Sequence, residues 1–412
     1  MSKIDDLIKE YCPNGVEYKK IYEVTIWDKK FNGTKKEIQP ETVKFNHISA
    51  QLLKELYDDR GDIKLLSTGN FDGFTTFEKA SKFVNKGEVL TVPSGGSANL
   101  KYYKGEFVDS GNILAVSSDC NKYNLKYVWY FLKNINSEIQ SFFRGSSVQH
   151  PDMLSILNIK IPIPPLPVQE EIVKILDKFV ELEAELEAEL EARKVQYEFY
   201  SGKILNTDKN KSKRVSIKDL TLKISNVNWK NVYEKLQYID LTSVSRENNK
   251  ISETAIVDKN TAPSRARQII KTNDIIFGTT RPLLRRICLI DEKYNNQICS
   301  TGYCVLRCDI TKVLPKYLYY IMSTEDFYKY IEEYQRGASY PSISDTDLKK
   351  YEFMLPTLEK QQEMVNVLDK FEKLTNDISD GIPAEIEARK KQYEYYRNKL
   401  LSFNEVNSNE RI

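Results

Sequence analysis

Two segments of the chain share one spacing of hydrophobic and polar positions. Within 163–206 and within 355–403, apolar residues recur three, four or seven positions apart, which places them on one face of a helix. The first face consists of Ile172, Ile175, Phe179, Leu182, Leu186, Leu190, Tyr197, Tyr200 and Ile204. The second consists of Met364, Val367, Phe371, Leu374, Ile378, Ile382, Ile386, Tyr393, Tyr396 and Leu400. Both segments begin after prolines, where a helix can start but cannot extend backwards.

The two segments are also copies of each other. Residues 163–179 match 355–371 at 9 of 17 positions, and residues 191–205 match 387–401 at 10 of 15. A repeat with a period near half the chain predicts two similar halves, each a globular segment followed by a long helix. A helix from about Val168 to Leu205 would be roughly 57 Å long, too long for burial in one domain. We therefore expect the two apolar faces to pack on each other as an antiparallel pair. Packing of each helix on its own domain is the alternative.

A tandem four-residue unit lies inside the first helix. Glu-Leu-Glu-Ala occurs three times over 181–192, and the second copy has four residues more between Phe371 and Glu387 than the first has between Phe179 and Glu191. Four residues add about one turn and about 6 Å. The unit favours a helix with a solvated acidic face, and it could also set the length of a spacer.

Outside the helical segments the pattern is that of mixed α and β structure. Short β-like runs are predicted at 22–26, 45–49, 88–92 and 112–116, followed by a helix at 125–143; the second half repeats this order at 236–241, 274–277, 304–306 and 316–334. The predicted domains are an N-terminal helix (1–14) packed near the C-terminal helix, a globular segment (15–162), a helical spacer (163–206), a second globular segment (207–354), a second helical spacer (355–403) and a tail (404–412). The basic stretch 207–214 suits either a linker or a strap on phosphates.

Composition excludes several classes. At 412 residues, with 41% hydrophobic and 29% charged residues, the chain has the balance of a globular protein and lacks an apolar run long enough to span a membrane, so we expect a cytoplasmic location. Four of the six cysteines lie within 288–308, but without a Cys-x-x-Cys pair we expect no metal site. Dinucleotide, P-loop, zinc-protease and adenine-methyltransferase motifs are missing, so we expect no catalytic residues and no cofactor in this chain.

The repeated motifs resemble a known family. Ile-Pro-x-Pro-Pro-Leu-x-x-Gln-Glu-x-Ile, Leu-Asp-Lys-Phe, tandem four-residue units and Glu-Ala-Arg-Lys-x-Gln-Tyr-Glu-x-Tyr, arranged in two copies, are similar to the specificity subunit of Type I restriction-modification systems. The resemblance implies two α/β (α+β) target-recognition domains separated by two long helices in a circular arrangement with approximate twofold symmetry. It also implies a non-catalytic subunit that reads a gapped site in double-stranded DNA. The implied partners are two methyltransferase subunits, which hold S-adenosylmethionine, and restriction subunits, which use ATP and magnesium.

Candidate DNA contacts lie in corresponding loops of the two globular segments. Net charge is only +2, but acidic residues concentrate in the spacer and basic residues in the globular segments. Arginine, lysine, serine, threonine and asparagine can bond to phosphates and base edges. The candidates are Ser94, Ser97, Asn99, Lys101, Arg144, Ser146, Ser147, Gln149, Arg265, Arg267, Thr279, Thr280, Arg281, Arg285, Arg286, Arg336, Ser339 and Tyr340. An ordinary turn at 93–99 and a structural ion pair for any one arginine are the alternatives. A two-headed scaffold without DNA binding is the alternative function.

Overall fold

The structure is a computed structural model that describes residues 3–205, 213–246, 248–376 and 381–406. Its helices are α1 (Lys3–Tyr11), α2 (Ile21–Val24), α3 (Ala50–Glu55), α4 (Phe77–Ala80), α5 (Leu125–Asn134), α6 (Asn136–Ser141), α7 (Met153–Leu157), α8 (Leu166–Leu205), α9 (Ile217–Leu220), α10 (Pro315–Ile321), α11 (Glu325–Tyr334), α12 (Asp345–Leu348), α13 (Leu358–Asn376) and α14 (Ile382–Leu400). The strands are β1 (Glu17–Lys20), β2 (Thr25–Trp27), β3 (Ile63–Ser67), β4 (Asp72–Thr75), β5 (Asn85–Pro93), β6 (Lys101–Ser110), β7 (Asn112–Ser117), β8 (Phe143–Arg144), β9 (His150–Pro151), β10 (Lys160–Ile163), β11 (Lys213–Ser216), β12 (Thr221–Leu222), β13 (Leu236–Ile239), β14 (Ala255–Val257), β15 (Ala266–Ile269), β16 (Ile275–Gly278), β17 (Ile287–Leu289), β18 (Ile298–Ser300), β19 (Tyr303–Cys308) and β20 (Glu352–Leu355).

The chain forms two compact units. Unit 1 comprises Met1–Ala184 with Ala388–Ile412, and unit 2 comprises Glu185–Glu387. Both units combine helices with strands, as the α/β prediction requires. The division falls inside both helical spacers, so the linear domain boundaries given above stay predictions.

Unit 1 is built on one six-stranded sheet. Its strand order is β2-β7-β5-β6-β3-β4, with β3 parallel to β6 and the other neighbours antiparallel. Apolar residues of β5 and β7 pack with α5 and with the first turns of α8 in one core. The predicted strands at 88–92 and 112–116 are confirmed as parts of β5 and β7. The predicted strand at 45–49 is wrong, since only His47 forms an isolated bridge, to Asp109.

The two ends of the described chain meet within unit 1. Val16 donates its backbone N–H to the Asn404 carbonyl at 2.8 Å, and the Tyr18 hydroxyl donates to the Phe403 carbonyl at 2.7 Å. Ile4 of α1 and Leu400 of α14 lie in the same core. Gly15 permits this approach because it has φ +98°, and a Cβ there would lie 2.3 Å from the Asn404 carbonyl oxygen. The N-terminal helix therefore packs beside the end of the C-terminal helix.

Unit 2 repeats this plan with smaller sheets. Its two four-stranded sheets have the orders β12-β19-β16-β17 and β14-β13-β18-β15, and β13 is parallel to β18. The ribbon of β11 with β20 corresponds to the ribbon of β1 with β10 in unit 1, and both are antiparallel. The predicted helices at 125–143 and 316–334 are each interrupted, the first by Ile135 between α5 and α6 and the second by residues 322–324 between α10 and α11.

The repeated glutamine explains why the helix-entry motif occurs in both copies. Gln169 is fully buried at the start of α8; its amide nitrogen donates to the carbonyls of Lys122 and Pro164, and its amide oxygen accepts from the Asn124 backbone N–H. Gln361 makes the same three contacts at the start of α13, with Lys312, Pro356 and Leu314. A buried amide with all three contacts satisfied fixes the angle between the long helix and its domain.

A second contact that both copies share follows about two turns later. Asp177 of α8 accepts from the Tyr130 hydroxyl at 2.6 Å and pairs with the Lys126 ammonium at 2.7 Å. Asp369 of α13 accepts from Tyr320 at 2.6 Å and pairs with Lys316 at 2.9 Å. The aspartate of Leu-Asp-Lys-Phe therefore ties each long helix to α5 or α10.

Helix pairing is present inside each unit. In unit 1 the Phe179 ring stacks on Tyr396 with centroids 5.6 Å apart, and Glu183 pairs with Lys390 at 3.4 Å, so α8 and α14 run antiparallel. In unit 2 the Tyr197 ring of α8 lies 6.3 Å from the Phe371 ring of α13. These aromatic residues belong to the predicted helix-pair faces.

The predicted helix-pair core stays a prediction, and several of its members also have neighbours in the globular part of their unit. Ile172 and Met364 are buried in the cores of their own units, because the first turns of α8 and α13 face α5 and α10. Val367 and Leu374 are 42% and 39% exposed, while Val365 and Leu368 take the buried positions. These first turns therefore pack at least partly on the domain, as the alternative expects. Leu182, Leu186 and Leu190 are half-buried, Ile175 is half-buried against the unit 1 core, Ile386 is buried and Tyr393 is half-buried. Ile378 lies outside the described residues.

Candidate DNA interface

Two separate stretches of unit 1 that the sequence singled out form one surface. The loop after β5 (94–99) and the loop between β8 and β9 (145–149) are joined by the Gly96 backbone N–H, which donates to the Gln149 carbonyl at 2.8 Å. The His150 ring nitrogen Nδ1 lies 2.6 Å from the Ser94 carbonyl oxygen. A Cβ on Gly95 would lie 3.1 Å from the Val148 side chain, so the two loops are in close contact.

Gln140 of α6, which sequence analysis missed, fixes the two loops together. Its amide oxygen accepts from the Ala98 backbone N–H at 2.7 Å, and its amide nitrogen donates to the Gln149 amide oxygen at 3.1 Å. The exposed candidates on this surface are Ser97, Arg144, Ser146, Ser147 and Gln149, and Ser94 is half-buried. Arg144 lies 3.9 Å from the Asp152 carboxylate and keeps a 74% exposed side chain.

Asn99 and Lys101 face a different part of the same surface. The Lys101 ammonium donates to the carbonyls of Ser67 and Gly69, each at 2.8 Å, and the Asn99 amide donates to the Gly69 carbonyl at 3.0 Å. Burial lowers the pKa of Lys101 below its ordinary value. Both side chains therefore anchor the turn at 67–70 beside the loop at 94–99. That turn, Ser-Thr-Gly-Asn, carries the small polar composition of a binding loop and was the part of this surface that the sequence analysis did not name.

A charge cluster with two buried carboxylates lies beside the loops of unit 1. The His47 ring lies between two buried carboxylates, with Nε2 2.8 Å from Asp28 and Nδ1 2.8 Å from Asp109. Hydrogen bonds to Asp109 and then Asp28 raise the pKa of His47 to about 9. Asp109 also accepts from both the backbone and the side chain of Asn112, and the intervening Gly111 carbonyl accepts from the Ser94 backbone N–H. We call Asp28, His47 and Asp109 the histidine clamp.

The corresponding loops of unit 2 also lie together. The loop after β16 pairs with residues 341–343: the Arg281 backbone N–H donates to the Pro341 carbonyl at 2.7 Å, and the Ile343 N–H donates to the Thr279 carbonyl at 3.0 Å. Arg281 has a left-handed backbone with φ +50°, which few non-glycine residues adopt. Its guanidinium lies 4.5 Å from the centroid of the exposed Tyr340 ring. The loop therefore presents one arginine stacked on one aromatic ring at the surface.

The three arginines of this loop have different environments. Arg285 forms an ion pair with Glu325 at 2.6 Å and lies 4.3 Å from the Tyr328 ring centroid, which is the structural alternative considered from the sequence. Arg286 is half-buried, and its Nε has no hydrogen-bond acceptor among the residues that the structure describes. Of the three, Arg281 is therefore placed best for contact with a ligand outside the protein.

The remaining candidates of unit 2 fall into two groups. Thr279 is buried and donates through both its backbone N–H and its hydroxyl to the Gly302 carbonyl, so it has a structural role. The others are half-buried or exposed around the loop, namely Thr280, Arg265, Arg267, Arg336, Ser339 and Tyr340. Arg267 donates from Nε to the Ser264 carbonyl at 2.8 Å. Arg336 and Ser342 exchange two backbone hydrogen bonds of 2.8 Å, which closes the second loop.

The described residues contain no cluster of three or more histidine, cysteine, aspartate or glutamate side chains that could hold a metal ion. Cys288, Cys299, Cys304 and Cys308 are buried, and burial raises the pKa of each thiol. Across the helices of the described ranges, none combines the length and the apolar character required to cross a membrane.

Each of the two units thus carries an exposed polar surface built from corresponding loops. The sequence matches the type I restriction modification DNA specificity domain over residues 47–192 and again over 202–388, and the chain belongs to this family of specificity subunits. Members of this family are the non-catalytic subunits of their enzymes.

Relatives and one solved structure agree with this assignment. A putative type I restriction enzyme specificity subunit of Haemophilus influenzae is 30% identical over 78% of this chain and 84% of its own length. The specificity subunit of the type I restriction enzyme EcoR124I/EcoR124II of Escherichia coli is 28% identical over 92% of this chain and 98% of its own length. The crystal structure of a Type-I restriction-modification system S subunit from M. genitalium shares the fold, with a TM-score of 0.58 and 14% identity over 94% of this chain and 96% of that one. The predicted fold class is therefore confirmed.

Proposed function

We propose that each unit recognises one half of an interrupted site in double-stranded DNA. The observation that carries this proposal is that, in both units, the loop after the central strand and the loop after the second helix meet in one exposed surface. In unit 1 this surface carries serines with Arg144 and Gln149, and in unit 2 it carries Arg281 on Tyr340 with Arg336 nearby. Arginine and serine side chains at such a surface suit phosphates and base edges. Because the surfaces differ in sequence, the two half-sites should differ.

The second part of the proposal concerns partners. This chain would recruit two methyltransferase subunits, which bind S-adenosylmethionine and modify adenine, and restriction subunits, which use ATP and magnesium. The support is family membership together with the absence of catalytic motifs from the sequence. Such an assembly would act in the cytoplasm, where the host DNA is. The subunit alone should not transfer methyl groups to DNA.

The test is to express the chain with its methyltransferase subunit and map modified adenines by sequencing. The expected result is a gapped, asymmetric motif. Arg281→Ala should relax or weaken only one half of the motif, and Arg144→Ala should affect only the other half. Normal assembly with the methyltransferase but no sequence-specific methylation or DNA binding would instead favour the scaffold without DNA recognition.

A further inference from the structure

An open cavity in unit 2 has a filled counterpart in unit 1. The cavity has a volume of about 640 Å³ and lies between α8 and the region of α10, α11 and β20. Ser201 and Gly202 of α8 and Thr324 form part of its wall. In the repeat, Ser201 and Gly202 correspond to Arg397 and Asn398, and Thr324 corresponds to Asn134. We call this cavity the unit 2 groove.

The corresponding position in unit 1 holds a guanidinium group of the chain itself. Arg397 donates from Nε to the Asn134 amide oxygen at 2.7 Å, and its guanidinium lies 5.2 Å from the Tyr393 ring centroid. Tyr197, the counterpart of Tyr393, lines the unit 2 groove. The tyrosine is therefore kept in unit 2, whereas the arginine that lies on it in unit 1 is replaced by serine.

A second difference between the copies is the position and pairing of a carboxylate. Glu372 lines the groove, and its counterpart in unit 1 is Val180. Glu372 is half-buried and accepts from the Tyr320 hydroxyl at 2.8 Å; within the described ranges no lysine or arginine pairs with it. Burial, together with the charges of Glu372 and Asp369, raises the pKa of Tyr197. Around Tyr393 in unit 1 the carboxylates are Asp177 and Glu183, and Glu183 pairs with Lys390. Compared with unit 1, the groove has thus lost the cation that lies on the tyrosine, and its second carboxylate stands at a different position.

The other charged groups that line the groove have partners. Glu325 pairs with Arg285 at 2.6 Å, Glu352 pairs with Arg214 at 2.7 Å, and Asp326 lies 3.7 Å from Lys329. Lys194, the remaining cation of the lining, lies 3.6 Å from Glu191. Tyrosine and phenylalanine rings supply the rest of the walls, namely Tyr197, Tyr319, Tyr320, Tyr328, Tyr351 and Phe353. A half-buried carboxylate beside aromatic rings suits a guanidinium better than an ammonium. The planar guanidinium can stack on a ring and donate two hydrogen bonds to a carboxylate.

We propose that the unit 2 groove is a docking site for an arginine side chain of a partner protein, with Glu372 as its counter-ion and Tyr197 as its stacking surface. The arginine would take the place that Arg397 occupies in unit 1. The groove would make the two units unequal toward partners even though they share a fold. The site is independent of DNA recognition, and it is tested on the full chain alone, so its failure would not affect the proposed function.

The probe is a fluorescently labelled tri-arginine peptide, with binding to the full-length chain followed by fluorescence anisotropy. The matched peptide contains citrulline, which keeps the shape of arginine but carries no charge. We expect saturable binding of tri-arginine and about tenfold weaker binding of tri-citrulline, because the hydrogen bonds of the citrulline urea to Glu372 lack the charge assistance of a guanidinium. Equal binding of the two peptides, or no saturable binding of tri-arginine at millimolar concentration, would overturn the proposal.

Two variants test the site itself. Ser201→Arg should fill the groove from inside, as Arg397 does in unit 1, and abolish peptide binding. Glu372→Gln keeps the size of the side chain and should weaken binding about tenfold. Glu170→Gln removes one negative charge from the exposed start of α8 in unit 1 and should leave binding unchanged. Unchanged binding by both groove variants, each shown to be folded by circular dichroism, would contradict the proposal.

Discussion

The histidine clamp of unit 1 makes a testable link between pH and stability. The Asp28 and Asp109 side chains are 1% and 0% exposed, and His47 is the cation that lies between them, 2.8 Å from each. Two buried carboxylates without a cation would be unfavourable, so the folded state favours the charged form of His47. Replacing His47 by Gln removes this charge while keeping a polar side chain of similar length.

The expected magnitude follows from the shift in pKa. His47 has a pKa of about 9 in the folded protein against 6.5 for an ordinary histidine. At about 1.4 kcal/mol per pKa unit, the shift corresponds to roughly 3 kcal/mol. Because the His47 side chain is 27% exposed and solvent screens its charge, the charged clamp contributes less, about 1 to 2 kcal/mol, to the free energy of unfolding. Because the folded pKa is raised, this contribution is fully present below pH 6.5 and is lost as pH rises through about 9. Wild type and His47→Gln should therefore differ most near pH 6 and little near pH 10.

The assay is urea unfolding followed by tryptophan fluorescence across this pH range. Trp229 of unit 2 is replaced by Phe in every protein, so that Trp27 and Trp129 report unit 1. His150→Gln is the matched control, since His150 is the second of the two histidines and is exposed; its stability should follow the wild-type pH curve. If the stability difference between wild type and His47→Gln stays constant from pH 6 to about pH 10, the argument from the clamp is refuted.

Three further predictions concern the long helices and the loops. Gln361→Leu should lower the stability of unit 2 by about 3 kcal/mol in urea unfolding, because it leaves three buried backbone groups without partners, while Leu at the exposed neighbour Gln362 should have little effect. Arg285→Ala should lower stability by about 1 kcal/mol and leave the methylated motif unchanged, whereas Arg281→Ala should alter one half-site without loss of stability; the opposite result would exchange their assigned roles. Deletion of 185–188, one four-residue unit of α8, should keep both half-sites and change the gap between them by about one base pair, since it removes about 6 Å of helix. Ala at Glu185 and Glu187 keeps the length and should keep the gap, and altered half-site letters in the deletion variant would contradict the role of the helix as a spacer.

Periodicity and internal repetition predicted the parts of the fold that depend on local sequence. The long helices, the strands at 88–92 and 112–116 and the pairing of Phe179 and Tyr197 with the opposite helix follow from apolar spacing. The same spacing fails at Val367 because a helix face is shared between the domain and the other helix, and spacing alone does not say which neighbour each turn meets. Val365 and Leu368 lie about one residue to the side of the predicted face and are the buried ones.

The structural contacts of polar residues at the candidate site could not be predicted from the sequence. Asn99, Lys101 and Thr279 have the residue types of a DNA-contacting loop, yet each donates to backbone carbonyls of its own unit. The histidine clamp joins positions 28, 47 and 109, and no local pattern connects residues so far apart in the chain. A loop sequence therefore shows which polar side chains are present. Only the fold shows which of them already form hydrogen bonds within the protein.

The two copies of the repeat provide a comparison within one molecule. Positions that are identical in both copies, such as the glutamines at 169 and 361, make identical contacts, so their repetition reflects the shared scaffold. Some positions differ between the copies although the residues around them correspond, and these positions show where the two units differ in their surfaces. Arg397 fills its site in unit 1, and Ser201 leaves the equivalent place in unit 2 open beside Glu372. Substitutions at such surface positions leave the shared helix contacts unchanged and so have little effect on stability. The two units can therefore bind different partners at these positions.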